Sequence, residues 1–282
     1  MAEVEGTVEL VADCARCFGL CCVVPAFARS ADFAIDKPAG TPCPNLGEGF
    51  GCRIHAELRP RGFAGCTAYD CFGAGQRVSQ VTFGGVDWRT APGTRQMYAA
   101  FPVVRELHEL RHHLGEARRF TRQSPLAAEV GALAADVGAL AAEVAALDGD
   151  VQAAAAGSPD ELARVDLPSL AARTGALLAR VSAAVRGPDG PDLARADLVG
   201  ADLRRRPLGR ATLRGALLLG ADLRSAVLDR TDLLGADLRG ARLDGADLSA
   251  ALFLTRLQVG AAHGDAATRL PAGLSRPAHW TG

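Results

Sequence analysis

At 282 residues the chain is too long for one compact core, and two or three units are expected. Half of it is apolar (49%), while 31 Lys and Arg against 32 Asp and Glu leave a net charge of −1, which argues against binding dominated by charge to nucleic acid or to an anionic membrane. No stretch reaches the ~20 apolar residues of a membrane span, and the acidic start Met-Ala-Glu-Val-Glu lacks a signal-peptide pattern, so a reducing cytoplasmic location is expected.

All eight cysteines lie between Cys14 and Cys71. The first four read Cys14-x2-Cys17-x3-Cys21-Cys22, and Cys43, Cys52, Cys66 and Cys71 follow. In a reducing compartment such clustering reads as metal ligation, ahead of unmetallated buried thiols or a disulfide framework. Thiolates at x2 spacing can meet one ion through a tight turn, at about 2.3 Å for zinc. Eight thiolates suffice for two tetrahedral ions, or for one cluster plus structural thiols. Adjacent Cys21 and Cys22 would strain one another on a single ion, so they are expected to diverge.

This run, with Cys43-Pro44-Asn45-Leu46, Cys52-Arg53-Ile54-His55 and Arg59-Pro60 ahead of Cys66, resembles a family of zinc- or iron-chelating domains over about residues 10–75. The resemblance implies zinc or iron as cofactor, including an iron–sulfur cluster, with the eight cysteines as ligands. His55 stands where relatives often carry Tyr and reads as a surface residue. Cys71-Phe72-Gly73-Ala74-Gly75-Gln76 is Gly-rich but lacks the Gly-Lys-Ser/Thr and the preceding strand of a phosphate loop. Residues 78–83 are expected to form a short strand ending at Gly84-Gly85.

Residues 93–120 read as a helix kinked near Pro102, with Val103, Leu107, Leu110, Leu114 and Ala117 at spacings of four and three. His108 and His112 are one turn apart, which suits a metal. No Glu-x-x-His or His-Glu-x-x-His pattern accompanies them, so with His113 they are assigned to a solvated face. A heptad follows: Leu126, Val130, Leu133, Val137, Leu140, Val144, Leu147 and Val151, with acidic g positions Glu129, Asp136, Glu143 and Asp150. Gly157-Ser158-Pro159-Asp160-Glu161 reads as a helix stop, N-cap, Pro at N1 and capping box. The next helix carries Leu167, Leu170, Thr174, Leu177, Val181 and Ala184, with Arg173 and Arg180 at g. Opposite-sign g positions suit an antiparallel hairpin, or a three-helix bundle with 93–120; a parallel homodimer is the competing arrangement.

Arg186-Gly-Pro-Asp-Gly-Pro191 is a stiff break. From about 191 to 255 the chain is then written in fives. Large apolar residues fall at Leu193, Leu198, Leu203, Leu208, Leu213, Leu218, Leu223, Leu228, Leu233, Leu238, Leu243, Leu248 and Phe253, with Ala two residues before most of them. A period of five fits neither a helix nor a flat strand. It fits a chain that turns a corner every five residues with one large and one small residue inside. These residues resemble the pentapeptide-repeat family, Ala-(Asp/Asn)-Leu-x-x, which implies a right-handed, four-sided β-helix. Four fives make a coil, so residue k stacks on k+20, and roughly three coils rise about 15 Å. Asp before each Leu points outward and can bond turn backbone.

Val199, Leu217 and Leu219 are expected on one outer face, with Asp237 and Arg239 above, as the place where the bundle packs or a partner docks. Arg204, Arg205, Arg206, Arg210 and Arg214 form a basic patch, and Arg206 at an inward Ala position followed by Pro207 predicts a distorted coil. The tail from Thr255 breaks the five-period. Its Thr255-x-x-Gln258, Leu270-Pro271 and Pro277-Ala-His-Trp280 resemble the C-terminal ending of bacterial pentapeptide-repeat proteins and are expected to cap the exposed coil end.

The expected architecture is therefore multidomain α+β: a Cys-rich module (1–90), a helical bundle or coiled-coil hairpin (91–187), a β-helix (188–255) and a cap (256–282). No catalytic signature is present in the sequence. The favoured function is an interaction scaffold for a protein partner, against an iron–sulfur or zinc redox module centred on the cysteines. Pentapeptide-repeat proteins that protect DNA gyrase by mimicking DNA are similar in their repeats, but that role needs a long acidic rod, and here Asp and Arg nearly cancel.

Overall fold

The computed structural model describes residues 10–90, 93–123 and 132–280. It falls into two compact units, Met1–Arg118 with Ala141–Leu178 and Arg119–Leu140 with Ala179–Gly282. No helix among the described residues is long and apolar enough to cross a membrane.

The first unit begins with short elements. A 3-10 turn at Cys14–Arg16 leads into α1 (Leu20–Val23), and a second 3-10 turn covers His55–Glu57. Next come α2 (Ala64–Ala68) and α3 (Ala74–Gln76), which runs on into a π-turn, Arg77–Thr82. The strand expected at 78–83 is therefore corrected to helix. Val78 and Ser79 are both buried while Val81 is 57% exposed, a helical and not an alternating pattern. Side chains of this turn tie back to the first cysteine loop: Phe18 N–H donates to Ser79 Oγ at 3.0 Å and Gln80 Nε2 to Arg16 O at 2.8 Å.

Helix α4 (Thr94–Gln123) contains Pro102 without ending there. Helix α5 (Ala132–Ala155) carries the heptad; Val137, Leu140, Val144, Leu147 and Val151 are all buried. Leu126, Glu129, Val130 and the side chain of Leu133 lie outside the described residues. Helix α6 (Pro159–Leu162) opens on the expected capping box: Ser158 caps Glu161 N–H, and Glu161 accepts from Ser158 N–H. Helix α7 (Leu167–Arg186) follows. Within the first unit Arg111, almost fully buried, reaches from α4 to Asp148 at 3.3 Å and Gln152 at 3.2 Å on α5. Arg173 of α7 meets Asp150 of α5 at 2.7 Å, a g-to-g contact of the kind an antiparallel hairpin predicts.

The second unit is built on the fives. Among the described residues no extended strand forms; each five-residue side contributes one bridge residue. The bridges are parallel and twenty apart: Asp192↔Thr212, Thr212↔Asp232 and Asp232↔Leu252 on one side, Asp197↔Leu217 and Leu217↔Asp237 on the next, Asp202↔Asp222 and Asp222↔Arg242 on the third, and Val227↔Asp247 on the fourth. Leucines from Leu203 to Leu248 fill the axis at 1% exposure or less, and Ala211, Ala216, Ala221, Ala241 and Ala246 are fully buried beside them. Thr231 replaces one Ala and satisfies its hydroxyl on Leu208 O at 2.6 Å.

Each corner is closed by an i to i+3 backbone bond, such as Ala221 N–H to Leu218 O at 3.0 Å. At most corners the third residue is left-handed, which is why Gly220 (φ 63°) and Gly240 (φ 66°) recur there, although Arg210 and Ser225 take the same conformation. The outward Asp accepts the N–H two residues on, as in Asp222 from Arg224 at 3.2 Å and Asp237 from Arg239 at 3.1 Å. The same carboxylates then bind the Arg side chains, at 2.6 Å in both cases. Arg204 and Arg214 of the basic patch are neutralised likewise, by Asp202 at 2.7 Å and Asp232 at 3.0 Å.

The expected distortion is present: the bridge series lacks 207↔227, and Arg206 is exposed instead of inward. Val199 and Leu217 remain 57% and 43% exposed. The helical residues of this unit pack on a different side, where Phe120 meets Phe253 edge-on at 5.6 Å and Arg186 Nη1 donates to Arg210 O at 2.9 Å. Beyond Thr255, helix α8 (Arg256–Ala261) replaces one side, and the chain rejoins the ladder through Arg242↔His263 and Asp247↔Arg269. Gln258 Nε2 satisfies Leu233 O (2.7 Å) and Ala236 O (3.0 Å), and Trp280 is buried over Gly264 with Nε1 donating to Ala262 O at 2.9 Å.

Leu223→Ala, at a fully buried axial position, should lower stability by about 2–5 kcal/mol in urea unfolding, whereas Val199→Ala should change it by no more than about 0.5 kcal/mol. Acid should also act on this unit. Arg204 holds the Asp202 carboxyl down at about 2, Arg224 and Arg239 hold Asp222 and Asp237 below the usual range, and the Ser249 hydroxyl does so for Asp247. The unfolded chain then takes up protons first as pH falls, so stability is complete above about pH 5 and declines from about pH 4 towards 2. Thermal denaturation across that range should show this decline; a flat profile would contradict it.

Candidate metal centre

The local backbone gathers the cysteines from distant parts of the first unit. Asp13 caps the turn that starts at Cys14, accepting Ala15 N–H at 3.1 Å. Gly19 (φ 66°) turns the chain into α1, which carries Cys21 and Cys22; a Cβ there would lie 2.7 Å from Leu46 Cδ1. Cys43 N–H donates to Cys22 O at 2.9 Å, and Cys52 bridges Leu46. Cys66 lies on α2, and Cys71 precedes the left-handed pair Phe72 (φ 47°) and Gly73 (φ 78°). All eight are free thiols, Cys14 exposed, Cys43 buried and the rest between.

These thiols fall into two groups of four. Cys14, Cys17, Cys21 and Cys71 line one small cavity with Gly75 and Phe101. In the other group, Cys66 feels the charges of Cys22, Cys43 and Cys52. Adjacent Cys21 and Cys22 thus belong to different groups, although their thiols hydrogen-bond and Cys14 also feels Cys22. Burial pushes Cys66 up to about 12 and raises Cys14, Cys17, Cys52 and Cys71, with neighbouring thiolates adding to the effect. Cys22 moves the other way because the Cys21 thiol donates to it, helped by the Lys37 ammonium.

Lys37, the chain's single lysine, is 3% exposed. Its three N–H groups donate to the carbonyls of Val23 (3.0 Å), Pro38 (3.1 Å) and Thr41 (2.8 Å). Backbone N–H groups also favour thiolates: Gly19 and Leu20 point at Cys17, Gly73 and Gly75 at Cys71, and Ile54 at Cys52. Clustered thiols that partial burial and one another keep protonated, yet that are ringed by N–H donors, form a donor set suited to a thiophilic cation, which deprotonates its thiols outright.

The histidines are a correction. They do not form a solvated face: His108 is fully buried with Nδ1 2.7 Å from Phe72 O, and His113 is 8% exposed. His112 Nε2 and His113 Nδ1 instead approach Glu116 Oε2, at 3.7 and 3.6 Å. Sequence reasoning missed Glu116, whose signal is His113-x-x-Glu116, the reverse of the spacing sought. His55 is exposed, as expected.

The uncharacterized protein YybG of Bacillus subtilis (strain 168) is 49% identical over 275 residues, covering 96% of this chain and 95% of that one. The pattern of pentapeptide repeats matches in 8 copies, over residues 208–245 and 216–253. The chain belongs to the YybG family of pentapeptide-repeat proteins. Among solved structures, HetL, a pentapeptide repeat protein involved in heterocyst differentiation regulation from the cyanobacterium Nostoc sp. strain PCC 7120, is 26% identical over 32% of this chain, with a TM-score of 0.13. The chain spans about half of HetL, 46% of its length. In this YybG-family protein the repeat match lies wholly in the second unit, and the repeats imply a quadrilateral β-helix there. The likeness to YybG extends across the cysteine region as well.

Gly75 is the tightest point of the first thiol group, because a Cβ would lie 2.6 Å from Cys17 Sγ and 3.9 Å from Cys71 Sγ. Gly75→Ala should therefore displace Cys17 and lower stability by about 1–3 kcal/mol in chemical denaturation. Gly49→Ala, with open space around it, should not.

Proposed function

We propose that this YybG-family protein is a metal-binding, non-enzymatic scaffold. Two zinc or iron centres form at the N-terminus, one on Cys14, Cys17, Cys21 and Cys71 and one on Cys22, Cys43, Cys52 and Cys66. The C-terminal repeats form a right-handed quadrilateral β-helix, closed by the cap at 256–282, that presents a rigid outer surface to a protein partner. The observation that supports this is the division of eight thiols into two sets of four at the Cys21–Cys22 peptide. Four-thiolate sites leave no open coordination position and act structurally. Free thiols of this density are at home in a reducing cytoplasm.

A second reading is a redox module with an iron–sulfur cluster on the second set. The Lys37 ammonium beside Cys22 and Cys43 favours it, since a buried cation offsets the charge of an anionic cluster and tunes its potential. Gyrase binding by DNA mimicry is not supported, because most outward Asp carboxylates, those of Asp202, Asp222, Asp232 and Asp237 among them, are bound by Arg of the same coils.

Anaerobically purified full-length protein should carry metal at two cysteine centres per chain, followed by elemental analysis. Cys71→Ser should remove one and Cys66→Ser the other, each lowering the melting temperature. Colourless zinc protein fits the scaffold, while brown protein with charge-transfer absorption fits the cluster. Metal-free protein, or one common loss from both variants, would overturn the two-centre assignment.

A further inference from the structure

Helix α4 brings together three metal-ligand atoms that are not among the thiols. His112 Nε2 and His113 Nδ1 both face Glu116 Oε2, the three atoms lie within 4.8 Å of one another, and all three are buried. The helix accounts for the convergence. His112 and His113 stand four and three residues before Glu116, so both rings lie over the same turn as the carboxylate.

The distances separate a hydrogen bond from a coordination site. Hydrogen bonds between nitrogen and oxygen run about 2.7–3.2 Å. The observed 3.7 and 3.6 Å are too long for that. Ligands held at about 2.0–2.1 Å around tetrahedral zinc stand about 3.4 Å apart. The two edges to Glu116 are thus close to that of a coordination tetrahedron, and the third lies within 4.8 Å. Two imidazoles and a carboxylate also form the donor set of zinc sites that keep a fourth position open. The His112 side chain is 30% exposed against 10% for His113 and 11% for Glu116, which puts the opening on the His112 side. The Phe72 ring, 5.2 Å from that of His112, forms one wall.

We propose that His112, His113 and Glu116 bind a single divalent transition cation such as zinc, with one position open to water or an exchangeable ligand. Nitrogen and oxygen ligands make this site chemically distinct from the thiols, and it does not depend on their binding metal.

Cobalt(II) is the probe, titrated anaerobically into the full-length protein. Wild type should develop weak visible d–d bands beyond those accompanied by sulfur-to-cobalt charge transfer. Glu116→Gln and His112→Gln should each lose those bands and one bound cobalt ion per chain, with the charge-transfer absorption and far-UV circular dichroism unchanged. His112→Gln alters a partly exposed residue and keeps the test decisive should Glu116→Gln unfold the helix. Absence of the bands in wild type, or equal metal content and spectra in wild type and variants, would overturn the site whatever the cysteines bind.

Discussion

The bond shared by every corner of the second unit is a backbone one, from the N–H at the small inward position back to the carbonyl of the axial Leu three residues earlier. Where the outward residue is Asp, its carboxylate adds a second bond from the N–H two residues on, at Asp192, Asp197, Asp202, Asp222, Asp232, Asp237 and Asp247. Thr212, Leu217, Val227 and Arg242 join the ladder without it. The Leu axis supplies the burial; the backbone turn brings each Leu to the axis. Where the pattern fails, at Arg206-Pro207, the ladder fails too: proline has no N–H to give, and a guanidinium cannot take the place of Ala.

The first unit answers to a different constraint, the crowding of eight thiols. It holds them close together beside an apolar core that includes Leu20, Val23, Phe72, Val78 and Phe101. Aromatic contacts brace the loops around them: Phe27 stacks on Phe33 at 4.4 Å, and Phe50 lies between Phe18 and Trp88. Cys22 departs from its neighbours because the Cys21 thiol donates to it, with the Lys37 ammonium adding a smaller pull in the same direction.

The fives were legible because one rule repeats thirteen times, so the axial Leu, the small Ala and the outward Asp could all be placed from sequence. The left-handed fifth position was less visible. Gly215 and Gly220 suggest it, but Arg195, Arg210 and Ser225 adopt it equally, held by the ladder and not by their own preference. Residues 78–83 misled because a short apolar run does not distinguish strand from helix; the contacts of Ser79 and Gln80 with the first cysteine loop decided it. Spacing alone picked out the cysteines but not their grouping. Cys71 joins Cys14 and Cys17 only because α3 and the π-turn fold back across the chain, a long-range event that local pattern does not encode. The histidine cluster was obscured by polarity, since its carboxylate lies after the histidines.

Charge is handled oppositely in the two units, and this bears on where chemistry can reside. In the coils most acidic groups have an Arg partner, often two residues on, so the surface largely neutralises itself and has little long-range field with which to steer an ion or a nucleic acid. In the first unit burial, with neighbouring thiolates adding to it, keeps Cys66 protonated, and the His112 and His113 nitrogens stand 3.7 and 3.6 Å from Glu116 Oε2. The centres proposed for the first unit would couple metal binding to its folding, because the thiols must lose their protons to bind. The two units are thus set apart by their electrostatics: the first concentrates the metal-ligand side chains, and the largely self-neutralised coils present shape.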